Sequence, residues 1–101
     1  MKCYQSATAI VESGTAGYIL VVKVKCFTGF VPPALIKREP PFNPKNVFPV
    51  VLNGGLSSPT TTKTPTELEV NYNLNNRDEF DSVEIFCGDE KPGTIIPVSK
   101  K

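Results

Sequence analysis

Histidine is absent from this chain, and that bounds the chemistry it can perform. Without it go the usual general base near neutral pH, the usual activator of a Ser or Cys nucleophile, and the commonest metal ligand. A catalyst here would have to use carboxylates. Glu67 and Glu69 lie at i, i+2 in TELEVNYNL, a spacing that sets them roughly 6.5–7 Å apart on one strand face. No neighbouring group desolvates either of them, so a solvated face alongside Asn71 and Asn73 is the expected role. Asp78, Glu79 and Asp81 form an acidic cluster without the D-x-[DN]-x-[DN]-G spacing of a calcium loop. Gly54-Gly55 followed by Lys63-Thr64 lacks the GxxxxGK[ST] spacing of a phosphate-binding loop. The expectation is a chain that is not an enzyme and holds no metal or cofactor.

Binding chemistry has two candidates. Lys23, Lys25 and Phe27 alternate on one face of a strand, and a basic face with an interleaved aromatic is what single-stranded nucleic acid uses for phosphate contact and base stacking. Arg38-Glu39-Pro40-Pro41-Phe42-Asn43-Pro44 has the RxxPxxP form of an SH3 ligand. Chance matches are common in proline-rich segments, so Pro40, Pro41, Phe42 and Pro44 are expected to dock on their own sheet or on a neighbouring subunit. Cys3, Cys26 and Cys87 are odd in number, widely spaced and without a C-x-x-C pair. Buried thiols in a reducing cytosol are the expected state, with one disulfide plus a free thiol as the alternative.

These side chains must be positioned by strands. The run YILVVKVKCFTGF, Tyr18 to Phe30, is rich in β-branched and aromatic residues, with Gly17 before it and Pro32-Pro33 after it. It reads as the central strand. Tyr18, Leu20, Val22, Val24, Cys26 and Phe30 form a core face. The opposite face is apolar at Ile19 and Val21 and basic at Lys23 and Lys25, so Ile19 and Val21 call for a cover, either the proline arm or another subunit. Cys3–Val11 precedes it as a first strand, joined through Ser13–Gly17 in an antiparallel hairpin. Residues 31–46 read as a proline-rich crossover, Val47–Leu52 as a strand that Pro49 confines to an edge or bulge, and 54–65 as a Gly/Thr/Pro loop. Thr66–Leu74 alternates, with Leu68, Val70, Tyr72 and Leu74 inward. Asn76–Glu79 has capping-box spacing for one helical turn, and Val83–Cys87 and Thr94–Val98 close the chain as strands.

The fold expected is a single all-β domain over 1–101, a small antiparallel β-sandwich or partly open barrel of about six strands with a long proline-rich crossover. Eleven basic and ten acidic residues leave a formal charge of +1, too little to recruit nucleic acid or an anionic membrane at long range. No apolar run approaches the roughly 20 residues of a membrane span. MKCYQSATAIVES has no continuous apolar stretch, so no signal peptide is expected and synthesis in the cytoplasm is. Together these favour a non-enzymatic structural or assembly protein that contacts other subunits as a homo-oligomer or larger assembly, for example a capsid cement, decoration or tail subunit of a virion. The alternatives are a small intracellular binder of a ligand or single-stranded nucleic acid on the Lys23/Lys25/Phe27 face, and a His-free hydrolase.

Overall fold

Leu20, Val22, Val24 and Cys26 are fully buried along one side of the longest strand, as their alternation predicts. The computed structural model describes residues 3–15, 17–28, 32–40, 42, 45–56 and 64–100. These form β1 (Ser6–Gly14), β2 (Gly17–Thr28), β3 (Ala34–Lys37), β4 (Val47–Asn53), β5 (Gly55–Leu56), β6 (Thr66–Leu74), β7 (Ser82–Cys87), β8 (Thr94–Pro97) and β9 (Ser99–Lys100). The protein is all-β. No described residue is helical. β1 and β2 make the expected antiparallel hairpin, from Ser6↔Lys25 to Gly14↔Gly17, and β6 pairs with β2 on its way back, from Tyr18↔Leu74 to Cys26↔Thr66. The first sheet runs β5-β2-β1-β9 with β6 also on β2, and the second runs β3-β4-β7-β8.

Both sheets are mixed, which corrects the antiparallel expectation, and they do not close into a barrel. β4 and β7 are parallel, from Val47↔Ser82 to Leu52↔Cys87, and β9 is parallel to β1. Parallel neighbours require a long crossover, and the chain between β4 and β7 supplies one by travelling through β5 and β6 of the other sheet. Three short strands, β3, β5 and β9, are additional to the expected set because two to four residues carry too little pattern to read. One of them, Ala34–Lys37, lies inside the segment expected to be a crossover without sheet, and pairs antiparallel with β4.

Pro49 sits in a strand flanked on both sides, not at an edge. The Arg38 amide donates to the Pro49 carbonyl at 3.3 Å, just past the last β3 pair, Lys37↔Val50. A strand residue's N–H and C=O point to the same side. The missing amide of Pro49 is therefore lost where β3 runs out, and the β7 ladder is spared.

Buried residues of both sheets meet in one cluster, with Val11, Leu20, Val22 and Val24 from the first and Phe48, Val50, Leu52, Val83 and Ile85 from the second. Phe42, Phe48, Tyr72 and Phe80 join at ring separations of 4.9–6.0 Å, mostly edge-to-face, a geometry that aligns ring edges with ring faces. The chain changes sheet four times, between β2 and β3, β4 and β5, β6 and β7, and β8 and β9, and two of these crossings are tight corners. At Gly54, φ is +79°, a left-handed corner that glycine takes without a Cβ clash; the next residue, Gly55, packs so closely that a Cβ would lie 2.7 Å from the Cys3 carbonyl oxygen. At Val98, whose amide donates to the Asp81 carbonyl at 3.1 Å, β8 passes into β9.

Cys3 and Cys87 are joined in a disulfide with Cα atoms 5.7 Å apart, and Cys26 is a free, buried thiol. This corrects the expectation of three thiols: residues 84 apart in sequence meet because the segment before β1 passes over the end of β7. The Asn76–Glu79 segment is a turn and not a helix. The Asp78 amide donates to the Asn76 Oδ1 at 3.0 Å and the Asn75 amide to the Glu79 carboxylate at 2.8 Å, so the turn is closed by side-chain-to-backbone bonds of the kind that compete with regular structure.

Candidate functional site

The outer face of the first sheet is polar and internally matched. Lys23 lies opposite Thr8 and Glu69, and Lys25 opposite Ser6 and Glu67. The Lys23 Nζ is 3.9 Å from Glu69. The two glutamates that could have been a catalytic pair and the two lysines that could have met phosphate are thus cross-strand partners, which is ordinary sheet pairing. Phe27 does not join that face as a stacking platform: it is only 6% exposed, enclosed where β5 pairs with the end of β2. Ile19 and Val21 are half-buried. Ile10 stands opposite Val21, and Ile19 faces Glu12 across the hairpin, its Cδ1 within 3.4 Å of where a Gly14 Cβ would be. The absence of a side chain at Gly14 gives Ile19 a place to lie.

The acidic cluster at the β6–β7 turn is tied to the C-terminal strand. Lys100 Nζ is 3.1 Å from Asp78 and 3.7 Å from Asp81, with Arg77 Nε 3.5 Å from Asp78. The Lys100 ammonium, with Arg77 behind it, holds the Asp78 carboxyl below its ordinary pKa. Asp78 and Asp81 thus pair with cationic side chains of the chain itself. Burial pushes the Cys26 thiol pKa up, away from the thiolate that nucleophilic chemistry needs.

Of the arm residues, Pro40 is exposed and Phe42 is half-buried against the aromatic cluster. Pro41 and Pro44, and with them the RxxPxxP reading, lie outside the described residues, as do 57–63 of the Gly/Thr/Pro loop.

The outer face of the second sheet differs in character. Pairing puts Ile36, Val51 and Phe86 in one row across β3, β4 and β7, and Pro49, Glu84 and Ile95 in the next row across β4, β7 and β8. Ile36 is 51% exposed and Ile95 59%, the two large hydrophobic side chains most open to solvent among the described residues. Lys37, on the inward side of edge strand β3, reaches instead to the Asn71 carbonyl at 2.9 Å and lies over the Tyr72 ring, which guards the edge between β3 and β6. A cleft of about 650 Å³ is lined by Val47, Pro49 and Phe86 of this face together with Phe42 and Pro92. The Arg38 guanidinium lies over the Phe86 ring, 4.9 Å from its centroid, and Lys91 lines the same cleft with Glu39 and Glu84. Glu84 accepts the Gly93 amide at 3.0 Å.

Sequence reasoning missed this face. One signal was present in Ile95-Ile96: two adjacent large apolar residues in a strand cannot both point inward, so one must emerge. Ile96 packs against the core and Ile95 emerges. Comparison with protein-family models, curated proteins and solved structures finds no match to this chain, so its function is argued from the site alone.

Proposed function

We propose that this chain is a non-enzymatic assembly subunit, a β-sandwich of two mixed sheets that docks on other protein subunits through the outer face of its second sheet. One observation carries the reading: Ile36 and Ile95 emerge on the same face, with half-buried Val51, Phe86 and Pro49 between them and Glu84 beside Ile95. Large apolar side chains exposed on one face, rimmed by charged groups, mark interaction sites. The matched polar face of the first sheet supports the same assignment by contrast. The Cys3–Cys87 bridge supports an oxidising working environment, such as an extracellular space or a virion exterior, rather than a reducing cytosol. A capsid cement, decoration or tail subunit is one kind of protein with these properties.

The test uses surface variants that leave the core intact. Ile36→Asp with Ile95→Asp is compared with Thr8→Asp on the other sheet, each checked by circular dichroism and urea midpoint. Light scattering of the purified protein and chemical crosslinking in its native source then read self-association and partner occupancy. The double variant is expected to lose the complex that the wild type and Thr8→Asp retain. A complex unaffected by the double variant, or a wild-type chain that is monomeric and crosslinks to nothing, overturns the proposal.

A further inference from the structure

We propose that the contact between Lys37 and Asn71 is an autoinhibitory lock on the edge of β6, and that its release lets β6 pair antiparallel with β6 of a second copy of this chain. The inventory of edges argues first. A strand edge with free amides and carbonyls is a template for another strand unless it is blunted. The outer edge of β8 is blunted by Pro97: the Val98 amide donates to Asp81 at the start of β7, so alternation turns Pro97, which has no amide, outward. β3 is only four residues long. β9 meets β1 at Ile10 and Val11, mid-strand, which leaves that edge in short pieces. β6 is different, since its nine residues pair with β2 alone. Among the described residues, Lys37 bonds to that edge from the other sheet.

Backbone direction and charge argue second. Lys37 Nζ takes the Asn71 carbonyl at 2.9 Å. That carbonyl points away from β2, as ladder parity requires. The hairpin closes on Gly14↔Gly17, so Gly17, Ile19 and Val21 turn their backbone groups to β1, and Asn71, opposite Val21, keeps its own free of β2. Glu67, Glu69 and Asn73 share that outward direction. Antiparallel overlap of the whole of β6 with its copy sets Thr66 against Leu74, Glu67 against Asn73 and Glu69 against Asn71, with Val70 on the twofold axis. Every carboxylate then faces an amide, and Leu68 meets Tyr72 on the half-buried side. Sliding the axis to Leu68 would oppose Glu67 to Glu69, a like-charge pair that disfavours the slip. The edge is thus self-complementary in its full register. Lys37 blocks it by holding the Asn71 carbonyl that the Glu69 amide of the second copy needs.

Sedimentation equilibrium of the full chain tests this, in a background of Ile36→Asp with Ile95→Asp that removes association through the second sheet. A hydrogen bond to a charged group is worth roughly tenfold or more in an equilibrium, and each copy gives one up on pairing. Lys37→Ala should therefore tighten self-association at least about tenfold. Val70→Cys added to Lys37→Ala should give a covalent dimer under mild oxidation, since residues facing each other across the axis lie about 4.5 Å apart at Cα. Glu67→Cys is the control. It is the more exposed position, but in this register it lies about 20 Å along the strand from its own copy and should not crosslink. Asn71→Glu, which sets a carboxylate against Glu69, should abolish the association. Circular dichroism and the urea midpoint check that each variant is folded. Self-association no tighter in Lys37→Ala than in its parent, association that survives Asn71→Glu, or crosslinking at Glu67→Cys as efficient as at Val70→Cys overturns the inference. The docking face is scored separately, with Ile36 and Ile95 intact.

Discussion

Reducing the Cys3–Cys87 bridge should cost this protein a large part of its stability. The bridge joins residues 84 apart, nearly the length of the chain. In the chain-entropy treatment, releasing a loop of that size returns about 4.6 kcal/mol of entropy to the unfolded state at 25 °C. A domain of 101 residues holds about 5–15 kcal/mol in total. The reduced protein should therefore lie between marginally folded and about two-thirds as stable as the oxidised one. With a urea m-value between about 1 and 3 kcal/mol/M, the midpoint should fall by at least about 1.5 M. The m-value should also rise, because an unbridged chain exposes more surface on unfolding. Urea melts with and without reductant measure both quantities. A thiol titration alongside them should find no reactive thiol in the native state, one in urea from buried Cys26, and three after reduction. Coincident melts, or three reactive thiols without reductant, would refute the reasoning, and Cys3→Ser provides the same comparison without reductant.

Phe48→Ala should cost about 3–5 kcal/mol, since Phe48 is fully buried and its ring meets those of Phe42, Tyr72 and Phe80; a loss under about 1 kcal/mol in urea melts would show that the cluster does not hold the sheets together. Asp78 is the carboxyl whose folded-state pKa is depressed by Lys100, so its contribution is present above the ordinary aspartate pKa of about 3.9 and is lost as pH falls through the lower folded value. Carboxyl NMR titration should show the Asp78 midpoint rising toward the ordinary value in Lys100→Met; an unchanged midpoint would remove Lys100 as the cause.

The Lys23, Lys25 and Phe27 alternation shows where reading a strand by itself stops. Its faces were legible, and Lys23 and Lys25 are indeed exposed. What stands beside them was not. Glu69 and Glu67 arrive from β6 through a register more than forty residues away in sequence, and β5 pairs across the end at Phe27. Each changes the meaning of the basic face without altering a residue in it. Ile36 and Ile95 illustrate the converse, since one lay in the expected proline-rich crossover and the other in a short apolar strand. Their exposure follows from which side of the second sheet faces the core, and that is decided by Phe48, Val50, Val83 and Ile85 on neighbouring strands.

The sequence by itself determined the local elements with a clear period: the β1–β2 hairpin, the buried side of β2, the inward set Leu68, Val70, Tyr72 and Leu74 of β6, and the all-β class. Side-chain alternation and turn residues act within a few positions, so they can be read from the residues themselves. Only the tertiary structure decided that β4 and β7 run parallel, that Cys3 meets Cys87, that Pro49 is tolerated where β3 ends, and that the second sheet carries the open apolar face. Those outcomes depend on which strands share a core. Period-two alternation states that a strand has two sides, but the packing of distant strands decides which side water reaches.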